Sequence, residues 1–131
     1  MQTLPSVEAL AEYFACQARI EATHPDFGVL KYELEYDTEH ERVSFSVLPV
    51  AEEVNLRVFT KSPPRFFLLG LEDVREIALR KIEEDGEVDE KLEVHFHNTE
   101  VQSLTLRLRS VFMLTWGNQH DSPERHPPWE R

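Results

Sequence analysis

Glu93, His95 and His97 are the residues of this chain whose types and spacing best suit metal chemistry. Alternate residues of a β-strand point to the same side and lie roughly 6.5 Å apart, so a strand would place all three side chains on one face. Two imidazoles and a carboxylate suit zinc or non-haem iron, and an open coordination position would permit catalysis. One hypothesis is therefore a metal-dependent enzyme or small-ligand binder that uses this face.

The two histidines also carry a short resemblance to a known family. His95-x-His97 resembles the His-x-His motif of cupins. The cupin pattern has a glycine six residues before the first histidine, where this chain has Asp89. It has an acid four or five residues after the second, where this chain has Val101 and Gln102. The resemblance covers three residues.

The same alternation has a simpler interpretation. Glu93, His95 and His97 would form the solvated face of a strand that buries Leu92, Val94 and Phe96. This interpretation needs no metal, and it stays open beside the first.

Other catalytic signatures are missing from the sequence. The four glycines do not cluster, which excludes the glycine-rich loops that bind phosphate. No Gly-x-Ser-x-Gly segment is present, so nothing indicates a serine hydrolase. Cys16 lies near the middle of a predicted helix, away from the N-terminus where the helix dipole favours a reactive thiolate, and we interpret it as a buried structural thiol.

Apolar spacing predicts one helix near the start of the chain. Hydrophobic residues recur at intervals of three and four from Val7, and Ser6 is a suitable N-cap. Pro25 disfavours helical dihedrals in the preceding residue. The predicted helix runs from Val7 to about Ala22.

The rest of the chain is predicted to form strands. Strict alternation indicates strands around Leu30–Tyr36, Val43–Val47 and Val54–Val58. The continuous apolar run from Arg65 to Leu71 predicts a strand buried on both faces. Residues 72 to 84 fit a helix or a strand, and we favour a strand.

Two further features complete the pattern. The segment Glu83 to Glu90, with Gly86 in its middle, is typical of a hairpin loop leading into the strand from Leu92 to His97. Between Ser103 and Trp116 a set of large apolar residues falls on even positions, which predicts a single long strand: Leu104, Leu106, Leu108, Phe112, Leu114 and Trp116.

These elements predict an α+β fold, with an N-terminal helix packed on a mainly antiparallel, sandwich-like β-sheet of six or seven strands. Residues 1–117 would form one globular domain and residues 118–131 a flexible, proline-rich tail. No stretch approaches the roughly 18 apolar residues that span a bilayer, and the first residues lack a basic region followed by an apolar one. We expect no membrane contact and a cytoplasmic location.

Acidic residues are concentrated in two stretches. The chain carries 25 Asp plus Glu against 14 Lys plus Arg, a net charge of −11. The acids that we predict to bind a partner are Glu83, Glu84, Asp85, Glu87, Asp89 and Glu90 around the hairpin loop, and Glu33, Glu35 and Asp37 on a strand face. We expect few bases to compensate either stretch. Such a field repels nucleic acid and attracts basic surfaces, so we expect a basic protein partner and no direct nucleic-acid binding.

The leading hypothesis is a non-enzymatic interaction protein that uses these acids to bind a basic partner or to imitate nucleic acid. In size, charge and layout the chain resembles the immunity proteins that bacteria keep against nuclease toxins. The competing explanation of the acids is solubility. A third hypothesis is an assembly subunit that pairs its Ser103 to Trp116 strand with a second copy.

Overall fold

The computed structural model describes residue 1, residues 3–109 and residues 112–116, with Glu84 described by its backbone alone. Over these residues the chain forms one helix and nine strands in two antiparallel sheets. The helix is α1 (Val7–Phe14). The strands are β1 (Arg19–His24), β2 (Gly28–Asp37), β3 (Glu41–Leu48), β4 (Glu53–Lys61), β5 (Pro64–Leu71), β6 (Val74–Glu84), β7 (Glu87–Phe96), β8 (Leu104–Arg107) and β9 (Met113–Trp116).

The two sheets follow the order of the chain. The first has the order β1-β2-β3-β4-β5 and the second β6-β7-β8-β9, and each strand pairs antiparallel with the next. The predicted antiparallel, strand-rich fold with one helix is confirmed. The predicted strand count of six or seven is too low.

Alternation along the strands builds the core. In the β3–β4 pair, Val43, Phe45 and Val47 stand opposite Val58, Leu56 and Val54, and all six side chains are fully buried. The buried residues of α1 and of both sheets belong to one hydrophobic cluster. From α1, the ring of Phe14 stacks on that of Phe45 at 5.3 Å, and the Tyr13 hydroxyl donates a hydrogen bond to the carbonyl oxygen of Leu106.

Helix α1 is shorter than the sequence predicts. Ala15 adopts a left-handed conformation with φ of 54° and ends the helix, and its N–H donates to the carbonyl oxygen of Glu12. The next residues turn away and form β1, in which Ile20 lies opposite Tyr32. The predicted end at Ala22 is therefore wrong, because pairing with β2 replaces the last helical turns. Cys16 follows the helix and is only partly buried.

Strand β5 differs from its prediction in burial. It occupies an edge of the five-stranded sheet, and only its last residue, Leu71, is buried. The prediction of burial on both faces assumed a central strand. Among the described strands β5 has a neighbour on one side only, and its outward residues lie on the exposed face of the sheet, as Arg57 and Phe59 of β4 do.

The predicted long strand from Ser103 to Trp116 is two strands. β8 and β9 pair antiparallel, with Leu104 opposite Trp116 and Leu106 opposite Leu114. In this register the even positions of both strands lie on the same face, so the apolar pattern continues through the reversal of the chain. That is why the period alone does not distinguish a hairpin from one strand.

Residues 72 to 84 are mostly strand, as favoured, since β6 covers Val74 to Glu84. A two-residue turn, Asp85-Gly86, joins β6 to β7, with φ of 52° and 78°. Positive φ at both turn residues gives the turn a backbone twist that matches the right-handed twist of the two strands, and Asp-Gly readily adopts these values. The hairpin is present, but its loop is shorter than the predicted segment Glu83 to Glu90, because both strands continue to the turn. The predicted tail, residues 118–131, lies outside the described residues.

Candidate functional site

The β6–β7 hairpin extends beyond its neighbours in the four-stranded sheet. β7 pairs with β8 over Leu92 to Val94, whereas its pairing with β6 continues to Glu87 opposite Glu84. The end of the hairpin is therefore a two-stranded ribbon. Its backbone is held chiefly by the contacts between its own two strands.

The ribbon combines free carboxylates with exposed aliphatic side chains. Glu83, Asp85 and Glu87 are exposed, and none of them forms an ion pair with a described residue. Ile82 is 51% and Val88 55% exposed beside them. Apolar side chains at this position add nothing to solubility, so the ribbon has the mixed chemistry of a contact surface.

Two of the predicted acids in this stretch have a different environment. Asp89 accepts a 2.7 Å hydrogen bond from the guanidinium of Arg107 and lies 3.6 Å from the ammonium of Lys91. Glu90, only partly exposed, forms no ion pair with the described part of the chain. The local negative charge therefore comes mainly from the exposed end of the ribbon.

A concavity of about 580 Å³ lies against this end of the hairpin. Its walls are formed by Ile82, Asp85, Glu87, Val88, Asp89, Lys91 and Arg107. The Nε atom of Arg107 is buried without a hydrogen-bond partner among the described residues. The surface thus has a carboxylate-rich rim and a guanidinium that is already paired with Asp89.

The second predicted acidic surface, on β2, is neutralised by cations from other strands. Arg19 contacts Glu33 at 2.7 Å, and Arg42 lies 3.3 Å from Glu35. Glu33 is only 9% exposed. The expectation that few bases compensate these acids is wrong here, because the pairing of β2 with β1 and β3 sets Arg19 and Arg42 beside them.

Asp37 has the strongest compensation of the three. Lys61 lies 2.9 Å and Arg42 3.0 Å from its carboxylate. Hydrogen bonds from Lys61 and Arg42 hold the pKa of Asp37 below its usual range. In the free protein these contacts reduce the attraction that the β2 acids would exert on a basic partner.

The structure brings Glu93 and His95 together in a hydrogen-bonded group. His95 Nε2 lies 3.1 Å from Glu93 Oε1, and His95 Nδ1 lies 2.7 Å from the hydroxyl oxygen of Ser103. Arg80 donates to Glu93 at 3.0 Å. Burial raises the pKa of Glu93, but the hydrogen bonds from Arg80 and His95 outweigh it, so the pKa is lowered overall.

His97 makes a separate contact. It follows the end of β7, and its Nε2 lies 2.8 Å from Glu52 Oε2. The N-terminal ammonium of Met1 lies 3.0 Å from the same carboxylate. Across the described residues, no group of three or more His, Cys, Asp or Glu is arranged to hold a metal ion. The buried Leu92, Val94 and Phe96 match the simpler strand interpretation.

Sequence reasoning missed an exposed apolar patch on the five-stranded sheet. Phe66 is 63%, Leu68 58% and Phe59 38% exposed, and the pairing sets Phe59 opposite Phe66 and Arg57 opposite Leu68. A concavity of about 420 Å³ adjoins the patch. A continuous apolar run carries no signal for which of its residues face solvent. Only the register of β5 on β4, which places Phe66 and Leu68 on the exposed face of the sheet, reveals this surface.

Comparison with known proteins gives a fold likeness. No protein-family model and no curated protein matches this chain. Among the described residues, no helix has the length and hydrophobicity needed to cross a membrane. One solved structure, a contact-dependent growth inhibition toxin–immunity protein complex from Klebsiella pneumoniae 342, contains a chain of similar fold, with a TM-score of 0.67 and 12% identity over 88% of this chain and 96% of that chain.

Proposed function

We propose that this protein is a non-enzymatic, immunity-type interaction protein whose β6–β7 hairpin binds a basic protein partner. The observation that carries the proposal is the ribbon end, where Glu83, Asp85 and Glu87 stand free beside exposed Ile82 and Val88. These carboxylates steer a basic partner and lose little on binding, because no ion pair with a described residue has to break. The aliphatic side chains supply the apolar contact that electrostatics alone does not.

The shape of the hairpin supports the same function. A two-stranded ribbon with a tight Asp85-Gly86 turn presents its side chains from a backbone that is already hydrogen-bonded, so less ordering accompanies binding than for an unpaired loop. Such a ribbon can enter a basic cleft of the kind that holds nucleic acid. The proposed mechanism is occlusion of that cleft.

The fold likeness adds independent support. The similar chain comes from a toxin–immunity protein complex, so this architecture occurs where a protein binds a protein partner. The acidic balance of −11 agrees with a basic partner. A cytoplasmic location belongs to the proposal, and the single cysteine suits a reducing compartment.

A sandwich-like packing of the two sheets, with α1 against them, also belongs to the proposal. The contacts of Tyr13 with Leu106 and of Phe14 with Phe45 support it. Such a core would hold the base of the hairpin rigid while its end stays free to bind.

The test is capture of the partner from host lysate at about 50 mM and about 500 mM salt. The wild type is compared with a triple variant, Glu83→Gln, Asp85→Asn and Glu87→Gln. A control variant with the same charge change carries Glu39→Gln, Glu72→Gln and Glu100→Gln, three exposed acids outside the hairpin. We expect the wild type and the control to retain one basic protein at low salt, and the hairpin variant to lose it.

Activity of the captured protein completes the test. If it cleaves nucleic acid, stoichiometric addition of the wild type should abolish cleavage, and the hairpin variant should need a higher concentration. Equal retention by the hairpin variant and the control would exclude this binding surface. Failure to capture any basic protein would overturn the proposal.

A further inference from the structure

Strand β5 is a regular edge strand, and no described strand pairs with its outer side. All eight of its residues pair with β4 in a continuous register, from Lys61 opposite Pro64 to Val54 opposite Leu71. It lies at the end of the five-stranded sheet, so the backbone groups on its other side face away from β4. A long, flat, apolar edge of this kind is a template for pairing with another strand.

The other edge strands among the described residues are protected. β1 has two register shifts, and it carries charged residues, Arg19 and Glu21. β6 is highly charged, and Thr3 forms a parallel bridge with Glu76 on it. β9 is only four residues long. Bulges, charges, proline and short length are the usual means by which sheets prevent edge pairing, and β5 has only Pro64 and Arg65, at its first two positions.

The charge of β5 also differs from that of the chain. The protein has a net charge of −11, yet the segment from Pro64 to Leu71 contains no acid and a single base, Arg65. Two copies of an acidic protein repel each other least where neither carries carboxylates. The β5 edge is such a place.

We infer that β5 pairs antiparallel with β5 of a second copy, so that two five-stranded sheets join into one sheet of ten strands. A two-fold axis at Phe67 aligns residues 64–70 of the two copies and keeps their outward faces on the same side. Phe66 then stands opposite Leu68 of the second copy, and Leu68 opposite its Phe66. Arg65 stands opposite Leu69 of the second copy, so like charges do not meet.

The area available sets the strength of this contact. Phe66, Leu68 and Phe67 are 63%, 58% and 39% exposed. With about 150–250 Å² for each aromatic side chain and a similar area for leucine, complete coverage of these side chains sets an upper limit of roughly 600 Å² of apolar surface buried by the two copies, besides the paired backbone. This lies in the range of weak, reversible interfaces, below about 1,200 Å² in total. The dimer should therefore form and dissociate with concentration.

Sedimentation equilibrium over about 1 µM to 500 µM tests the inference by mass action. The weight-average molecular mass of the wild type should rise with concentration from 15.4 kDa towards twice that value. Phe66→Glu and Leu68→Glu should stay monomeric at every concentration. Phe27→Glu is the matched control, because Phe27 is 64% exposed, and it should dimerise like the wild type.

A cross-link tests the register. In a Cys16→Ser background, Phe67→Cys places two thiols directly opposite each other, at a spacing that a disulfide can bridge. Oxidation should give a covalent dimer with Phe67→Cys and none with Phe27→Cys. Circular dichroism checks that every variant is folded.

A wild type that stays monomeric throughout, or a Phe66→Glu variant that dimerises unchanged, would overturn the inference. The protein could instead stay monomeric, with β5 amides that become protected from hydrogen exchange only when the captured partner is added. That result would overturn self-pairing and show that β5 pairs with a strand of the partner. Loss of dimerisation leaves the hairpin proposal untouched, because hairpin and edge belong to different sheets.

Discussion

The hydroxyl of Tyr13 on α1 donates a 2.7 Å hydrogen bond to the carbonyl oxygen of Leu106 on β8, which joins the helix to the four-stranded sheet. Tyr32 on β2 is buried just as deeply, with 1% of its surface exposed. Its hydroxyl has no hydrogen-bond partner in the part of the chain that the structure describes. Two buried tyrosines of the same core thus differ: the hydroxyl of Tyr13 has a hydrogen-bond partner among the described residues, and that of Tyr32 has none.

This contrast predicts opposite effects of the same substitution. Tyr13→Phe should lower the free energy of unfolding by about 1 kcal/mol, because a buried hydrogen bond is lost. Tyr32→Phe should raise it by about 1 kcal/mol, because an unsatisfied hydroxyl is removed from the core. Urea unfolding of both variants measures the difference, and a loss of stability in Tyr32→Phe would show that its hydroxyl has a partner.

The same residues predict a loss of stability at alkaline pH. Burial raises the pKa of both Tyr13 and Tyr32 from 10.0 to about 12. Between these values the unfolded chain releases phenolic protons that the folded chain keeps, so stability falls as pH rises from about 10 to 12. The loss is roughly 3 kcal/mol for each tyrosine. Unfolding followed by tyrosinate absorbance checks this, and the double Phe variant should show a shallower decline.

Lowered carboxyl pKa values predict a loss of stability in acid. The pKa of Glu93 is lowered because hydrogen bonds from Arg80 and His95 outweigh burial, and Lys61 and Arg42 lower that of Asp37. The stabilisation that these two carboxylates contribute is present above their unfolded-state pKa values of 4.5 and 3.8. It disappears as the pH falls through their lower folded-state pKa values. Acid titration of Asp37→Asn should show a smaller pH dependence than the wild type. An unchanged curve would contradict the role of its two ion pairs.

The end of α1 predicts a stabilising substitution. Ala15 has φ of 54°, a conformation that strains L-residues and suits glycine. Ala15→Gly should therefore raise the free energy of unfolding by about 0.5–1 kcal/mol. Ala11→Gly, inside the helix, is the control and should lower it by about 1 kcal/mol. Thermal and urea unfolding compare the two, and destabilisation by Ala15→Gly would mean that the helix continues past this residue.

A zinc titration separates the two functional hypotheses from the sequence. Both ring nitrogens of His95 have protein partners, and His97 contacts Glu52 instead of Glu93. We therefore expect equimolar zinc to leave the melting temperature unchanged. A rise in melting temperature that disappears in His95→Asn would support a metal site and weaken the interaction proposal.

Much of the architecture is determined by local pattern. Period-two alternation identifies β2, β3 and β4, because one face of each strand packs in the core and the other does not. The Asp85-Gly86 turn is predictable because few residues tolerate two positive φ values. The sequence also predicts that the acids at the end of the β6–β7 hairpin lie close together, because they are neighbours in the chain.

Only the tertiary structure decided the features that depend on distant residues. Partners from other strands neutralise Glu33, Glu35 and Asp37, and Ala18 to Ala22 leave the helical pattern because β2 offers a pairing strand. The exposure of Phe66 and Leu68 follows from the register of β5 on β4, which sets them on the same exposed face of the sheet as Phe59 and Arg57. Hydrophobic periodicity reports which residues can be buried, whereas strand order decides which of them have a neighbour to cover them.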